Sequence, residues 1–331
     1  MEQAKLDAQT RNQLIQALAG RIESTYVFIE TADAIAAELR DRLTRGDFDS
    51  TESEQTFAAL LNDSLEQAND RHLRVKWQEE PLAKADPSED HDDSEFREYT
   101  RLLNNCIRKA ERLAGNVGYL NITGFCPPNW GKDTLAAAMT FLENVSALIV
   151  DLRRCTGGNL EMVQVFCSYF LPEDTHLNTF YWREADKSVQ SWTMPCVPGP
   201  RLLDVPLFVL TSQTTFSAGE DAAYTLQALG RATIIGESTG GGAHPGDTHR
   251  LSDHLEVFIP SGRAVNPVTG ANWEGTGVQP NVEADAQGAL DVAHVRALRT
   301  ILARIEPDAS PALCRIRAEA RRTLDEQQPY D

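Results

Sequence analysis

The chain has 331 residues, of which 41% are hydrophobic and 24% charged, a composition that supports a folded core and excludes a disordered chain. Asp and Glu number 49 against 31 Lys and Arg, and the resulting net charge of -18 opposes binding to nucleic acid or to an anionic membrane surface. The longest apolar runs have the length of core strands, well short of the roughly 20 residues of a membrane-spanning helix.

In chain order, the opening MEQAKLDAQTRNQ lacks the apolar stretch of a signal peptide, so the sequence as given reads as cytoplasmic or as a processed periplasmic or secreted form. Residues 1–75 read as a small helical domain. Leu14, Ile15 and Leu18 share one face, Ile35, Ala36 and Leu39 another, and Phe57, Leu60, Leu61 and Leu65 a third. Residues 76–115 read as an acidic connector followed by a helix over 96–113, with Pro81 and Pro87 in its weakest-structured part. From 116 to 306 short apolar runs alternate with helical patterns. Strands are expected over 118–122, 147–152, 206–211, 232–235 and 255–259, and helices over 134–142, 160–170, 218–229 and 289–305. That pattern predicts an α/β core with a largely parallel sheet. Residues 307–331 read as a charged, partly loose C-terminal tail.

The six cysteines, at 106, 126, 155, 167, 196 and 314, form no CxxC pair and are expected to be buried small hydrophobes. No Cys or His pair has metal-ligand spacing, so neither a metal nor any other cofactor is expected.

Chemistry in an α/β sheet collects where strands end and helices begin. Two junctions stand out: ALIVDLRRCTGGN (147–159), with the glycine pair Gly157-Gly158, and TFSAGE (215–220), with Ser217 at a helix start. Paired glycines can turn backbone N–H groups toward an oxyanion, although a tight strand-to-helix turn needs them equally. Ser217 and Glu220 have capping-box spacing, while a serine Oγ at a helix N-terminus also sits in positive potential that favours a nucleophile.

These two motifs, with GRATIIGESTGGG (230–242) and NWEGTGVQPN (272–281), resemble the tail-specific (C-terminal processing) serine proteases. The resemblance is to the branch that includes the tricorn protease core and the modules of interphotoreceptor retinoid-binding protein. It implies a ββα-superhelix core of the crotonase and Clp type, preceded by the helical domain. It further implies a Ser217 nucleophile, an oxyanion hole from the N–H groups of Ala218 and of Gly157 or Gly158, and a peptide or protein as substrate. Oligomerisation is compatible with it.

The sequence departs from the common Ser-Lys dyad of that family, because its last lysine is Lys187 and none follows Ser217. The tricorn branch implies instead His72, in DRHLRV (70–75), as base and Glu274 as its carboxylate, with the base titrating within about one unit of neutrality. His244, in GGGAHPG (240–246), is the rival base or a substrate contact, and Arg263 is a candidate contact for a substrate carboxylate. Residues 76–115 are fewer than the roughly 50 of an independent domain, so no PDZ domain is expected. Two other readings remain: a non-catalytic binder of an apolar ligand such as a retinoid or lipid, and a crotonase-like acyl enzyme, the latter lacking a basic cluster for a nucleotide phosphate.

Overall fold

The computed structural model describes residues 6–82 and 94–327. His91, Pro87 and most of the expected acidic connector lie outside the described residues. In chain order the elements are α1 (Ala8–Thr25), α2 (Ile29–Arg45), α3 (Glu54–Leu65), β1 (Arg74–Trp77), α4 (Ser94–Leu102), β2 (Ile107–Leu113), β3 (Val117–Ile122), α5 (Pro128–Phe141), β4 (Ala147–Asp151), α6 (Leu160–Ser168), β5 (His176–Trp182) and β6 (Lys187–Trp192). They continue as β7 (Leu207–Thr211), α7 (Ala218–Ala228), β8 (Ala232–Gly236), β9 (Gly246–Arg250), β10 (Leu255–Pro260), β11 (Gly262–Val265), β12 (Val282–Glu283), α8 (Ala289–Arg304) and α9 (Pro311–Gln327).

The chain forms two compact units. The first comprises the N-terminal residues through β1 together with Thr179–Val189 and Gly242–Val265. Two of its helices, α1 and α3, start on polar caps: the Asp7 carboxylate accepts from Thr10 N at 2.7 Å and the Ser53 hydroxyl from Thr56 N at 3.2 Å. The apolar faces of α1, α2 and α3 converge on one core, which Val75 of β1 and Leu255, Val257 and Ile259 of β10 complete. Each fully buried Leu or Ile there contributes about 1.5–3 kcal/mol relative to exposure. β1 enters an antiparallel sheet in the order β1-β10-β9, with Arg74 opposite Phe258 and Val75 opposite Val257. The Asn62 side chain fixes this strand by exchanging hydrogen bonds with the Val75 carbonyl at 2.9 Å and amide at 2.8 Å. The boundaries expected from the sequence are contiguous, whereas this unit recruits strands from two later stretches. Long-range antiparallel pairing of that kind leaves no local signal.

The second unit holds a six-stranded sheet in the order β12-β8-β7-β4-β3-β2. β12, β8, β7, β4 and β3 run parallel, and β2 lies antiparallel on the edge. β3, β4 and β7 are buried along their whole length, which explains their near-continuous apolar sequences. α8 lays Ala293, Ala297, Leu298 and Ile301 against the core of this sheet.

Three expectations are corrected. The helix predicted over 96–113 stops at Leu102, because Asn104, Asn105 and Cys106 all take positive φ (54°, 51° and 66°), and the chain continues as β2. The stretch expected as a loose tail carries α9, whose Ala320 is buried and whose Arg317 donates to the carbonyls of Leu302 (2.5 Å) and Ile305 (3.0 Å). Of the six cysteines, only Cys126, Cys155 and Cys167 are buried; Cys106 and Cys314 are half-buried and Cys196 is exposed.

Candidate active site

In the second unit, two strand-to-helix turns are stitched together. After β4, the carbonyls of Leu152 and Arg153 accept from the hydroxyls of Thr215 (2.8 Å) and Ser212 (2.6 Å), and the Cys155 carbonyl accepts from Phe216 N at 2.9 Å. Gly219 permits this approach, since a Cβ there would stand 2.9 Å from the Cys155 oxygen.

Ser217 is where this scaffold concentrates strain. It is the N-cap of α7, yet its backbone lies at φ 52°, ψ -120°, a region that non-glycine residues avoid at a cost of order 1–3 kcal/mol. The buried Glu220 carboxylate holds that geometry by accepting from Ser217 N at 2.8 Å, while Glu220 N donates to the Ser217 carbonyl at 2.9 Å. Glu220 therefore keeps the capping role read from its spacing, and it also accepts from Thr239 Oγ1 (2.5 Å) and Gly241 N (2.7 Å).

Gly157 and Gly158 face this serine turn with φ of 119° and 131°. A Cβ on Gly157 would fall 2.8 Å from Ser217 Cβ and 3.4 Å from Ala218 N; one on Gly158 would strike the Phe125 carbonyl oxygen at 2.1 Å. The pair is clamped from below, Phe125 N donating to the Gly157 carbonyl (2.8 Å) and Asn159 N to the Phe125 carbonyl (2.6 Å). Ser217, Ala218, Gly157 and Gly158 are thus brought together. Glu274 belongs to the same unit, on a loop tied to the serine turn: Gly275 N donates to the carbonyl of Gly241, whose own N–H reaches Glu220. Trp273 anchors that loop, buried with its ring 5.2 Å from that of Tyr224.

The first unit holds the two candidate histidines, His72 and His244. His244 is buried and its Nδ1 lies 2.7 Å from Asp70 Oδ2, an oxygen that also accepts from Tyr26 OH at 3.1 Å. Asp70 Oδ1 accepts from the backbone N–H of His72 at 3.0 Å. Burial works to raise the Asp70 carboxyl, but the His244 hydrogen bond and charge, with the His72 contacts, hold it below the usual carboxylate range. The His72 ring packs on Phe258 with centroids 5.3 Å apart, and burial pulls its pKa down to about 4 against the opposing pull of Asp70. Arg263 is exposed and lies over the rings of Phe28 (5.6 Å) and Tyr181 (5.2 Å), and Phe28 in turn packs edge-on against His244 at 5.3 Å.

Two residues escaped the sequence reading. Asp70 stands two places before His72, and that Asp-x-His spacing was the available signal. Asp221 had no motif at all; it is buried, and its carboxylate accepts from Asn178 Nδ2 at 2.6 Å and from Thr225 Oγ1 at 3.1 Å.

A serine forced into positive φ at a helix start, beside a glycine pair, on the carboxyl side of a parallel sheet, belongs to the architecture of serine hydrolases. Residues 116–284 match peptidase family S41, and residues 5–108 match the N-terminal domain of Peptidase_S41 in eukaryotic IRBP; the chain belongs to peptidase family S41. It is 28% identical over 156 residues to the carboxyl-terminal-processing protease of Synechocystis, a match covering 47% of this chain and 35% of that protein. The chain thus spans about a third of the length of the curated relatives it matches. Among solved structures it resembles one described as a putative peptidase from Parabacteroides merdae (TM-score 0.61, 18% identity, 87% of this chain and 96% of that one). It also resembles the tricorn protease (TM-score 0.53, 15% identity, 94% of this chain and 37% of that one). These likenesses agree with the fold expected from the sequence, a mixed α/β core preceded by a helical region. No helix among the described residues is long and apolar enough to cross a membrane.

Proposed function

We propose that this chain is a serine-type peptidase acting on peptide or protein substrates, with Ser217 as nucleophile. The observation that carries the reading is the strained backbone of Ser217 at the start of α7, with Gly157 against its side chain. In the proposed reaction Ser217 Oγ attacks the scissile carbonyl while an imidazole takes its proton. The N–H of Ala218 and that of Gly157 or Gly158 stabilise the tetrahedral oxyanion, and the imidazolium then protonates the leaving amine. Water hydrolyses the acyl-enzyme by the reverse assistance. The missing downstream lysine, with the resemblance of DRHLRV (70–75) and of the Glu274 motif to the tricorn branch, supports His72 as the base and Glu274 as the carboxylate that orients it.

A second assignment of the base rests on one observation: His244 already has its Nδ1 on a buried carboxylate, Asp70. That is the base-and-orienter arrangement of triad chemistry.

The test is labelling with a fluorophosphonate probe. Wild type is expected to label at Ser217 and Ser217→Ala not at all. Equal labelling of both removes Ser217, and a wild type that fails to label favours the binder of an apolar ligand.

A further inference from the structure

We propose that the cavity at the amino ends of β7 and β8 is a binding site for a small anion that carries linked phosphate groups. The cavity measures about 660 Å³, and its charged lining consists of Arg231, Arg296, Arg299, Arg304 and a single carboxylate, Asp204. That size suits a small molecule, since such sites occupy roughly 300–1,000 Å³. The whole chain carries 49 acidic residues against 31 Lys and Arg, so four arginines around one aspartate reverse the sign of the surrounding surface. Three of the four come from α8, where Arg296, Arg299 and Arg304 are exposed and follow at a spacing that lines one flank of a helix. The adjoining flank carries Ala297 and Ile301 into the core of the sheet, which fixes how α8 lies and where its arginines emerge. The fourth arginine opens β8, far from α8 in the chain, and so no basic cluster was evident in the sequence.

Arg231 is the half-buried member of the group. Its Nε donates to the Phe170 carbonyl at 2.8 Å, and its Nη2 donates to the carbonyls of Leu202 (2.6 Å) and Val205 (2.7 Å). Arg304 Nη1 donates to the Asp204 carbonyl at 2.6 Å, so the two guanidinium groups hold one loop from either side. These bonds are to neutral carbonyls and leave the positive charge of the pair in place. Burial pulls the Arg231 pKa down, Asp204 opposes it, and the nearby charge of Arg304 adds to the fall. Guanidinium groups gathered in this way repel one another, and partial burial strengthens the repulsion. A multivalent anion removes it.

Phosphate fits the arrangement better than carboxylate. A phosphate group concentrates about 1.5–2 negative charges on three acceptor oxygens, which guanidinium groups can approach from several directions at once. A carboxylate is planar and is matched by a single guanidinium fork. The site is separate from the serine turn. Leu207 lines the cavity at the start of β7, whereas Ser217 follows the other end of that five-residue strand, about 15 Å away along the sheet. A ligand here is therefore no part of the bound peptide.

The experiment titrates the full chain with sodium pyrophosphate by isothermal calorimetry, in metal-free buffer at about 0.1 M salt. Wild type is expected to show one saturable site. Arg296→Gln and Arg299→Gln leave the loop contacts of Arg231 and Arg304 in place, and each should weaken Kd about tenfold without lowering the melting temperature of the free protein. Arg321→Gln removes the same charge from α9, outside the cavity, and should leave Kd unchanged. Absence of saturable binding overturns the site, as does an Arg321→Gln variant weakened as much as Arg296→Gln. Citrate that binds as tightly as pyrophosphate overturns the assignment to phosphate. The readout is heat of binding and not turnover, so a chain that hydrolyses no peptide but binds pyrophosphate refutes the peptidase reading and leaves this site standing.

Discussion

A methyl group placed on Gly157 would stand 2.8 Å from the Cβ of Ser217 and 3.3 Å from its Oγ, so the space in which the serine side chain turns is space that only glycine leaves. The same residue takes φ 119°, a conformation that an L side chain rarely adopts. Crowding and strain therefore both act at one position, beside the proposed nucleophile.

Gly157→Ala is accordingly expected to lower turnover of a peptide or ester substrate by about 100-fold or more. The accompanying loss of stability should be of order 1–3 kcal/mol. Gly158→Ala should behave differently, because its methyl would meet the Phe125 carbonyl at 2.1 Å, a backbone atom that cannot rotate away. It should cost more stability than Gly157→Ala. Thermal melts together with turnover check both, and a Gly157→Ala variant of undiminished turnover would contradict the proposed role of the turn.

The base is assigned by comparing two histidines. His72→Ala is expected to reduce kcat by several orders of magnitude, on the order of 10⁴, with the fold retained, and Glu274→Gln should do the same through the wrong tautomer. His244→Ala and Asp70→Asn should mainly raise KM under that assignment. If instead His244→Ala and Asp70→Asn collapse kcat while His72→Ala leaves it intact, the carboxylate-held His244 is the base.

The pH profile follows from the burial of His72. The sequence led to an expected titration near neutrality, but burial moves the His72 pKa to about 4. Its neutral, proton-accepting form then predominates above that value, so kcat/KM should rise between about pH 3 and 5 and stay flat through neutrality. A rising limb near pH 7 would remove His72 as the titrating base.

What the sequence conveyed and what it withheld divide along physical lines. Strands buried on both faces, such as Ala147–Asp151 and Leu207–Thr211, carry continuous apolar runs that can be read locally. The positive φ of Gly157 and Gly158 was legible because such a turn favours glycine, whereas Ser217 takes positive φ without being a glycine and was singled out by its capping spacing and the resemblance of its motif. The end of α4 at Leu102 was hidden, since Asn104, Asn105 and Cys106 enter left-handed geometry without a glycine among them. The pairing of Asp70 with His244 was equally hidden, because 174 positions separate the partners and only the folded sheet of β1, β10 and β9 brings their segments into one unit. Asp221 was unreadable for a related reason: nothing near it in the chain declares that Asn178 will supply its hydrogen bond.

Asp221 supplies the last prediction. Its carboxyl is buried at the start of α7, and burial raises its pKa from 3.8 to about 7, against the lowering effect of the Thr225 and Asn178 hydrogen bonds. In the unfolded chain the group titrates near its ordinary value, so between about pH 4 and pH 7 the folded state keeps a proton that the unfolded state has released. The unfolded state binds fewer protons throughout that window, and the sign is therefore fixed. The contribution of this group to stability is complete below about pH 4, declines as pH rises, and is lost above about pH 7. Over the whole window the loss amounts to roughly 4 kcal/mol at most, since each pH unit of separation carries about 1.4 kcal/mol. Asp221→Asn removes the titration while its amide oxygen still accepts from Asn178. Urea unfolding of both proteins at intervals from pH 5 to pH 8 should give wild-type stability that falls more steeply with pH, with the variant at least as stable as wild type at pH 8. Parallel profiles for the two proteins would mean that Asp221 is ionised in the folded state and that its hydrogen bonds, not burial, govern its charge.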